Sequence, residues 1–88
     1  MLDEETCTYY GDNITVKFSP MSTKLLSYII INKHRIVTFE ELTKYLWNEK
    51  RSWRADNRLR NLIHKINVKI ESEFHIVSKK RAGYKIGA

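Results

Sequence analysis

Apart from two methionines, sulfur enters this chain once, as Cys7. A lone thiol excludes an internal disulfide and a thiolate cluster for zinc, and it suits a reducing compartment. Proline occurs once, at Pro20, and glycine three times, so no flexible or polyproline linker divides the 88 residues. Long hydrophobic runs are missing too: Leu25 to Ile31 is apolar only in part and too short to cross a bilayer. The N-terminus carries Asp3, Glu4 and Glu5 where a secretory signal needs basic residues, so no such signal is expected. Cys7 has no evident histidine partner, no serine lies in a nucleophile motif, and His34, His64 and His75 lack metal-ligand spacing. These absences leave an enzyme reading without support, and neither a cofactor, a metal nor a small-molecule substrate is expected.

What the chain does have is positive charge, unevenly placed. The formal net charge is +6, which suits a polyanion. Asp3, Glu4, Glu5 and Asp12 lie at the start and Glu40, Glu41 and Glu49 in the middle. From Lys50 onward only Asp56, Glu71 and Glu73 oppose a dense run of lysine and arginine. A chain of this length makes one small core, burying roughly 60–65% of its unfolded surface, with no room for a deep catalytic cleft. The charge asymmetry therefore points to a directed basic face on a compact support.

The elements follow from local pattern. Thr8–Tyr10 and Ile14–Phe18 cluster β-formers around Gly11-Asp12-Asn13, which is hairpin turn chemistry. Ser19 can cap a helix with Pro20 at its first position, and Met21, Leu25, Leu26, Tyr28, Ile29 and Ile30 give it a broad apolar stripe to about Asn32. Ile36-Val37 reads as a short strand-like link. Thr38 and Glu41 form a capping box for a second helix carrying Phe39, Leu42, Tyr45, Leu46 and Trp47, with Trp47 expected in the core.

Asn48 to Ala55 has no apolar period and reads as a loop. Within it, Trp53 is either an exposed anchor or, by preference, a lid over the core. Asp56 is the expected cap of a third helix, 56–70, whose Leu59, Ile63, Ile66 and Ile70 make one inward stripe. Phe74–Ser78 and Tyr84–Ile86 flank the cationic tip Lys79-Lys80-Arg81, completing a hairpin. Helix–loop–helix followed by a β-hairpin is the winged helix-turn-helix layout. The expected class is α+β, with residues 1–18 as N-terminal strands, 19–70 as a three-helix core and 74–86 as the wing of a single domain, 1–88.

From Phe18 onward the chain resembles the DNA-binding domain of the OmpR/PhoB class of bacterial regulators, and is similar in pattern to the ToxR/CadC branch. The matching residues are Phe18-Ser19-Pro20 with Leu25-Leu26, then Ile36-Val37-Thr38 with Glu41-Leu42 and Leu46-Trp47. They continue through Asp56-Asn57-Arg58-Leu59 with Ile63, Ile66 and Ile70, and end in Ile76-Val77-Ser78 with Gly83-Tyr84-Lys85-Ile86. Three departures stand out. Asn67 occupies the position where the family usually has an arginine, a common phosphate contact. The wing reads Ser78-Lys79-Lys80-Arg81 instead of a threonine-valine-arginine-glycine pattern. The N-terminal sheet, usually four-stranded, has residues for two or three strands. The receiver domain that precedes this module in response regulators is not among these residues.

Duplex DNA is the partner these features favour. Arginine can bond guanine bidentately and asparagine adenine, and Arg58, Asn61 and Lys65 are spaced to project from one side of the third helix as a base-reading set in the major groove. His64 and Lys69, nearer the rims, suit phosphates, as do Lys50, Arg51 and Arg54 in the preceding loop. A solvated helix carries such residues too; the adjacent cationic hairpin turns the balance toward contact.

The resemblance implies that the wing, 78–83, reaches the minor groove through Lys79, Lys80 and Arg81. Tyr84 then either bonds a phosphate or packs its ring beneath the wing. The resemblance also implies that loop 48–54 can touch RNA polymerase or the DNA backbone, that copies pair on direct repeats, and that the setting is a bacterial cytoplasm, with the chain free-standing or the cytoplasmic part of a longer one. The rival expectation is a winged-helix protein-interaction module, an adaptor or antagonist of a larger regulator, for which the missing arginine at Asn67 is the best support.

Overall fold

In the computed structural model, which describes residues 1–70 and 73–87, the chain opens with three short strands, β1 (Leu2–Asp3), β2 (Thr8–Tyr10) and β3 (Thr15–Lys17). They pair antiparallel in sequence order, Leu2 opposite Tyr9 and Tyr9 opposite Val16. The inner faces of Leu2, Tyr9 and Val16 pack on the core. The N-terminal sheet thus has three strands, one more than its hairpin alone, and the turn at Gly11 is closed by its N–H donating to the Ile14 carbonyl at 2.8 Å.

Helix α1 (Pro20–Ile31) starts where expected. Ser19 accepts from the Ser22 N–H at 3.2 Å, and proline at the first position has no helical donor to lose. Leu25, Leu26 and Ile29 are fully buried, each stabilising the fold by about 1.5–3 kcal/mol relative to exposure. Strand β4 (Val37–Thr38) follows, then α2 (Phe39–Trp47), which ends at Asn48 in the left-handed conformation asparagine tolerates. Thr38 and Glu41 complete both halves of the capping box.

Glu41 does more than cap. Its carboxylate receives the Arg35 guanidinium at 2.7 Å, the Thr38 N–H at 3.0 Å and the Tyr28 hydroxyl at 3.0 Å. The Arg35 guanidinium is the largest cause holding its pKa at about 2, below the ordinary 4.5, with the Thr38 and Tyr28 donors adding to it against the opposing effect of burial. A carboxylate depressed in the folded state stabilises above its unfolded pKa and loses that contribution as pH falls through the folded value. Stability should therefore decline between pH 4.5 and 2. After solvent screening the loss is about 1–2 kcal/mol. Glu41→Gln should flatten this part of the pH profile in chemical denaturation; an unchanged profile would remove Glu41 as its source.

Helix α3 runs Trp53–Ile70, one turn longer than the expected 56–70. Ser52, not Asp56, starts it: the Ala55 N–H donates to Ser52 Oγ at 3.1 Å and the Asp56 N–H to the Ser52 carbonyl at 2.8 Å. Asp56 instead lies in the first turn, where a negative charge still favours the helix N-terminus. Ala55 is fully buried and extends the stripe of Leu59, Ile63, Ile66 and Ile70 backward by one turn. Trp53, expected as a lid, is 71% exposed. Trp47 is half-buried and packs against the core from its edge.

The wing strands are β5 (His75–Lys79) and β6 (Gly83–Gly87). The link read at Ile36-Val37 proves to be part of their sheet: β4 pairs with β6, Val37 opposite Tyr84 and Thr38 opposite Gly83, giving the order β4-β6-β5. Thr38 thus ends a strand and caps a helix at once. The wing is not a loose flap, because its inner strand is bonded to the segment joining α1 and α2.

Candidate nucleic-acid interface

With Leu59, Ile63, Ile66 and Ile70 turned inward, α3 must present Asn57, Asn61, His64 and Val68 outward, and all four are exposed. Arg58, Asn61 and Lys65, the expected base-reading set, line one shallow groove with Met21, Trp47 and Leu62. The structure therefore brings the three together on the side of α3 that faces α1 and α2. Arg58 is held rather than free there. Its Nη2 lies 2.6 Å from Glu49 Oε2 and its guanidinium stacks 4.3 Å from the Trp47 ring centre. Stacking and pairing fix the plane of the fork before any ligand arrives.

The expected phosphate-binding residues divide. Arg54 is exposed at the start of α3, its guanidinium 5.6 Å from the Trp53 ring. His64 and Lys65 are exposed along a groove shared with Phe18, Ser19 and Ser22. Lys69 borders the same groove, but its ammonium donates to the Lys17 carbonyl at 2.9 Å and lies over Phe18, tying α3 to β3. Arg51 is a strut. It contacts Asp56 at 3.2 Å and Glu40 at 3.3 Å and lies 4.4 Å from the Phe39 ring centre, joining α2 to the first turn of α3. Asp56 is the main cause raising its pKa, and its charge is paired at the surface with these two carboxylates.

At the wing, Lys79 belongs to β5, so the turn itself is Lys80-Arg81-Ala82, closed by the Ala82 N–H donating to the Lys79 carbonyl at 3.0 Å. Arg81 sits at φ 61°, a left-handed position a turn requires. Lys79, Lys80 and Arg81 are all exposed, and among the described residues no carboxylate lies within ion-pair distance of them. Tyr84, grouped with them as a contact, is only 6% exposed and meets Phe39 edge-to-face at 5.4 Å. Burial raises its pKa, with the Arg60 charge acting the other way. It supports the wing and does not reach out from it.

Two residues gain parts that sequence reasoning did not assign. Arg60 lies on the wing side of α3, close enough to Tyr84 to act on its ionisation and within 3.4 Å of Asn57 Oδ1. Its place seven positions before Asn67 on one helix puts both on the same flank, a spacing that was available from the sequence. Asn67, read as a lost contact, bonds the wing backbone: its Nδ2 donates to the Ile76 carbonyl at 3.0 Å and its Oδ1 accepts from the Ile76 N–H at 2.8 Å. Among the described residues no group of histidine, cysteine, aspartate and glutamate could hold a metal ion, and no helix is long and apolar enough to cross a membrane.

Residues 13–86 match the family model described as "Transcriptional regulatory protein, C terminal". Over 87 residues the chain is 29% identical to a putative epidermin response regulator of Staphylococcus epidermidis, covering 97% of this chain and 42% of that protein. The chain thus spans less than half the length of this curated relative. Its fold superposes on the DNA-binding domain of E. coli CadC with a TM-score of 0.70 at 14% identity, over 97% of this chain and 82% of the other.

Proposed function

The chain belongs to the family of C-terminal domains of transcriptional regulatory proteins, the OmpR/PhoB-type DNA-binding module, and on that premise we propose that it reads duplex DNA with α3 in the major groove and the wing at the neighbouring minor groove. The observation that carries this reading is the unpaired charge. Arg54 on the outward side of α3, Arg60 and Lys65 on its two flanks, and Lys79, Lys80 and Arg81 on the wing have no carboxylate partner among the described residues. A groove of B-DNA admits such a helix, and cations at a narrow minor groove respond to its width and potential. Arg58, Asn61 and Lys65 read base edges; Arg54 and His64 meet phosphates beside them.

Titrating a labelled duplex at a series of salt concentrations tests it. If about six phosphates are neutralised, log affinity falls with log salt at a slope of roughly −5. Arg58→Ala and Asn61→Ala should each relax sequence preference, costing about 1–3 kcal/mol on the preferred site and little elsewhere. A salt-independent association, or none with any duplex, would reject the proposal.

Segment 48–54, with Trp53 standing out at its end, is the face we assign to RNA polymerase. Copies of the domain align on direct repeats, in the cytoplasm of a bacterium. The rival reading, a protein-interaction module, rested chiefly on Asn67 as a missing phosphate contact. Its bonds to Ile76 give that residue a different role and weaken the rival.

A further inference from the structure

Strand β5 is the outer strand of the wing sheet. An outer strand presents backbone N–H and C=O groups that no neighbour pairs. At Ile76, which lies opposite Ile86 and is itself buried, both of these groups are taken by the side chain of Asn67. A carboxamide is suited to this because it sets a donor and an acceptor side by side, as a strand does. Arginine offers five donors and no acceptor, so it would leave the Ile76 N–H without its bond.

The wing is therefore held on two sides by different means. Its inner strand β6 is bonded to β4, and its outer strand β5 is bonded to α3 through one residue. Ile76 lies four residues before Lys80, about 13 Å of extended strand. A rotation of roughly 10° about Ile76 would move the tip by about 2 Å, enough to break a hydrogen bond to phosphate.

Resting on the DNA-binding reading above, we infer that Asn67 is the positioning residue that couples the wing to the recognition helix, fixing the distance between the helix contacts and the wing-tip cations. The departure from the family's arginine exchanges a direct phosphate contact for a fixed geometry between two contact elements. Specificity then depends on the spacing of the two grooves as well as on the bases α3 reads.

A double-mutant cycle tests this. Asn67→Ala, Lys80→Ala and the pair are titrated with one duplex, under conditions where circular dichroism shows all of them folded. In the parent, Lys80→Ala should weaken binding roughly fivefold at physiological salt, the worth of one phosphate contact. In the Asn67→Ala background the same change should cost less than about twofold, because the tip is already misplaced. Amide exchange at Ile76 should quicken while the α3 core amides keep their protection.

Asn67→Asp serves if the alanine variant does not fold. It keeps the shape and the acceptor but sets a carboxylate oxygen against the Ile76 carbonyl in place of the donor. Its added negative charge is present with and without Lys80, so the Lys80 penalty, compared within this background, should likewise shrink. An undiminished penalty in both backgrounds overturns the coupling, as does unchanged exchange at Ile76. A parent that binds no duplex overturns the DNA-binding reading instead, so the two failures are distinguishable.

Discussion

Gly83→Ala is expected to destabilise the protein severely, by about 4 kcal/mol or more. A Cβ on Gly83 would be driven into the Val37 carbonyl, 2.7 Å from its carbon and 2.8 Å from the Thr38 Cα. All of these are backbone atoms, so no flexible side chain can move aside. Relief requires β4 to part from β6, and Thr38 cannot shift without disturbing the cap of α2. Overpacking a core costs about 1–3 kcal/mol. Losing the strand pairing and the Tyr84–Phe39 contact brings the total to about 4 kcal/mol or more. For 88 residues the whole stability is roughly 4–13 kcal/mol. A thermal melt should fall by about 15 °C or more. Gly11→Ala is the control: the added atom there meets the end of the Glu73 side chain and, at 3.0 Å, the edge of the Tyr9 ring. Glu73 can swing away at the cost of its exposed bond from the Asp12 N–H, so the melt should fall by only about 4–8 °C. A Gly83→Ala protein melting within about 5 °C of the parent would show that the two strands can separate cheaply.

Replacing Lys79, Lys80 and Arg81 together with alanine should weaken DNA binding about a hundredfold at physiological salt, three contacts at roughly fivefold each. The salt slope should shrink from roughly −5 to about −2 or −3. The loss should be nearly equal on preferred and scrambled duplexes, because these cations meet backbone and groove potential more than bases. All three side chains are exposed, so stability should change by less than about 0.5 kcal/mol. An unaltered slope would mean that the wing does not touch phosphate. A loss confined to the preferred site would make the wing a reader of sequence.

Much of the fold was legible because it is local. Ser19-Pro20 and the Thr38/Glu41 box announce their helices within four residues, and the stripe from Leu59 to Ile70 is a single-helix pattern. The start of α3 was misplaced because Ser52 and Asp56 are both good capping residues. What decides between them is Ala55, four before Leu59, and its small side chain is a weak signal of burial. The pairing of Val37 with Tyr84 was hidden because two residues of β-former carry no information about a partner far along the chain. The site was legible as a set of cations but not as a set of free cations. Arg51 and Arg58 look alike in sequence to Arg54 and Arg60, and only three-dimensional proximity to Glu40, Asp56 and Glu49 separates the paired from the unpaired. Asn67 was misread for a related reason: its partner is a backbone group, which no residue type reveals.

The sheet order β4-β6-β5 has a consequence for synthesis. Of the elements of this domain, the middle strand is the last in chain order. Chains grow at about 5–20 residues per second, so the helices can form and pack while Gly83–Gly87 has yet to appear. Until it does, neither Val37–Thr38 nor His75–Lys79 has a strand to pair with, and Phe39 lacks the Tyr84 ring. Closing this sheet is a non-local event that waits on the finished domain. A nascent chain stopped short of Gly83 carries three helices and most of their positive charge but no assembled wing, so truncated products are left with half of the interface.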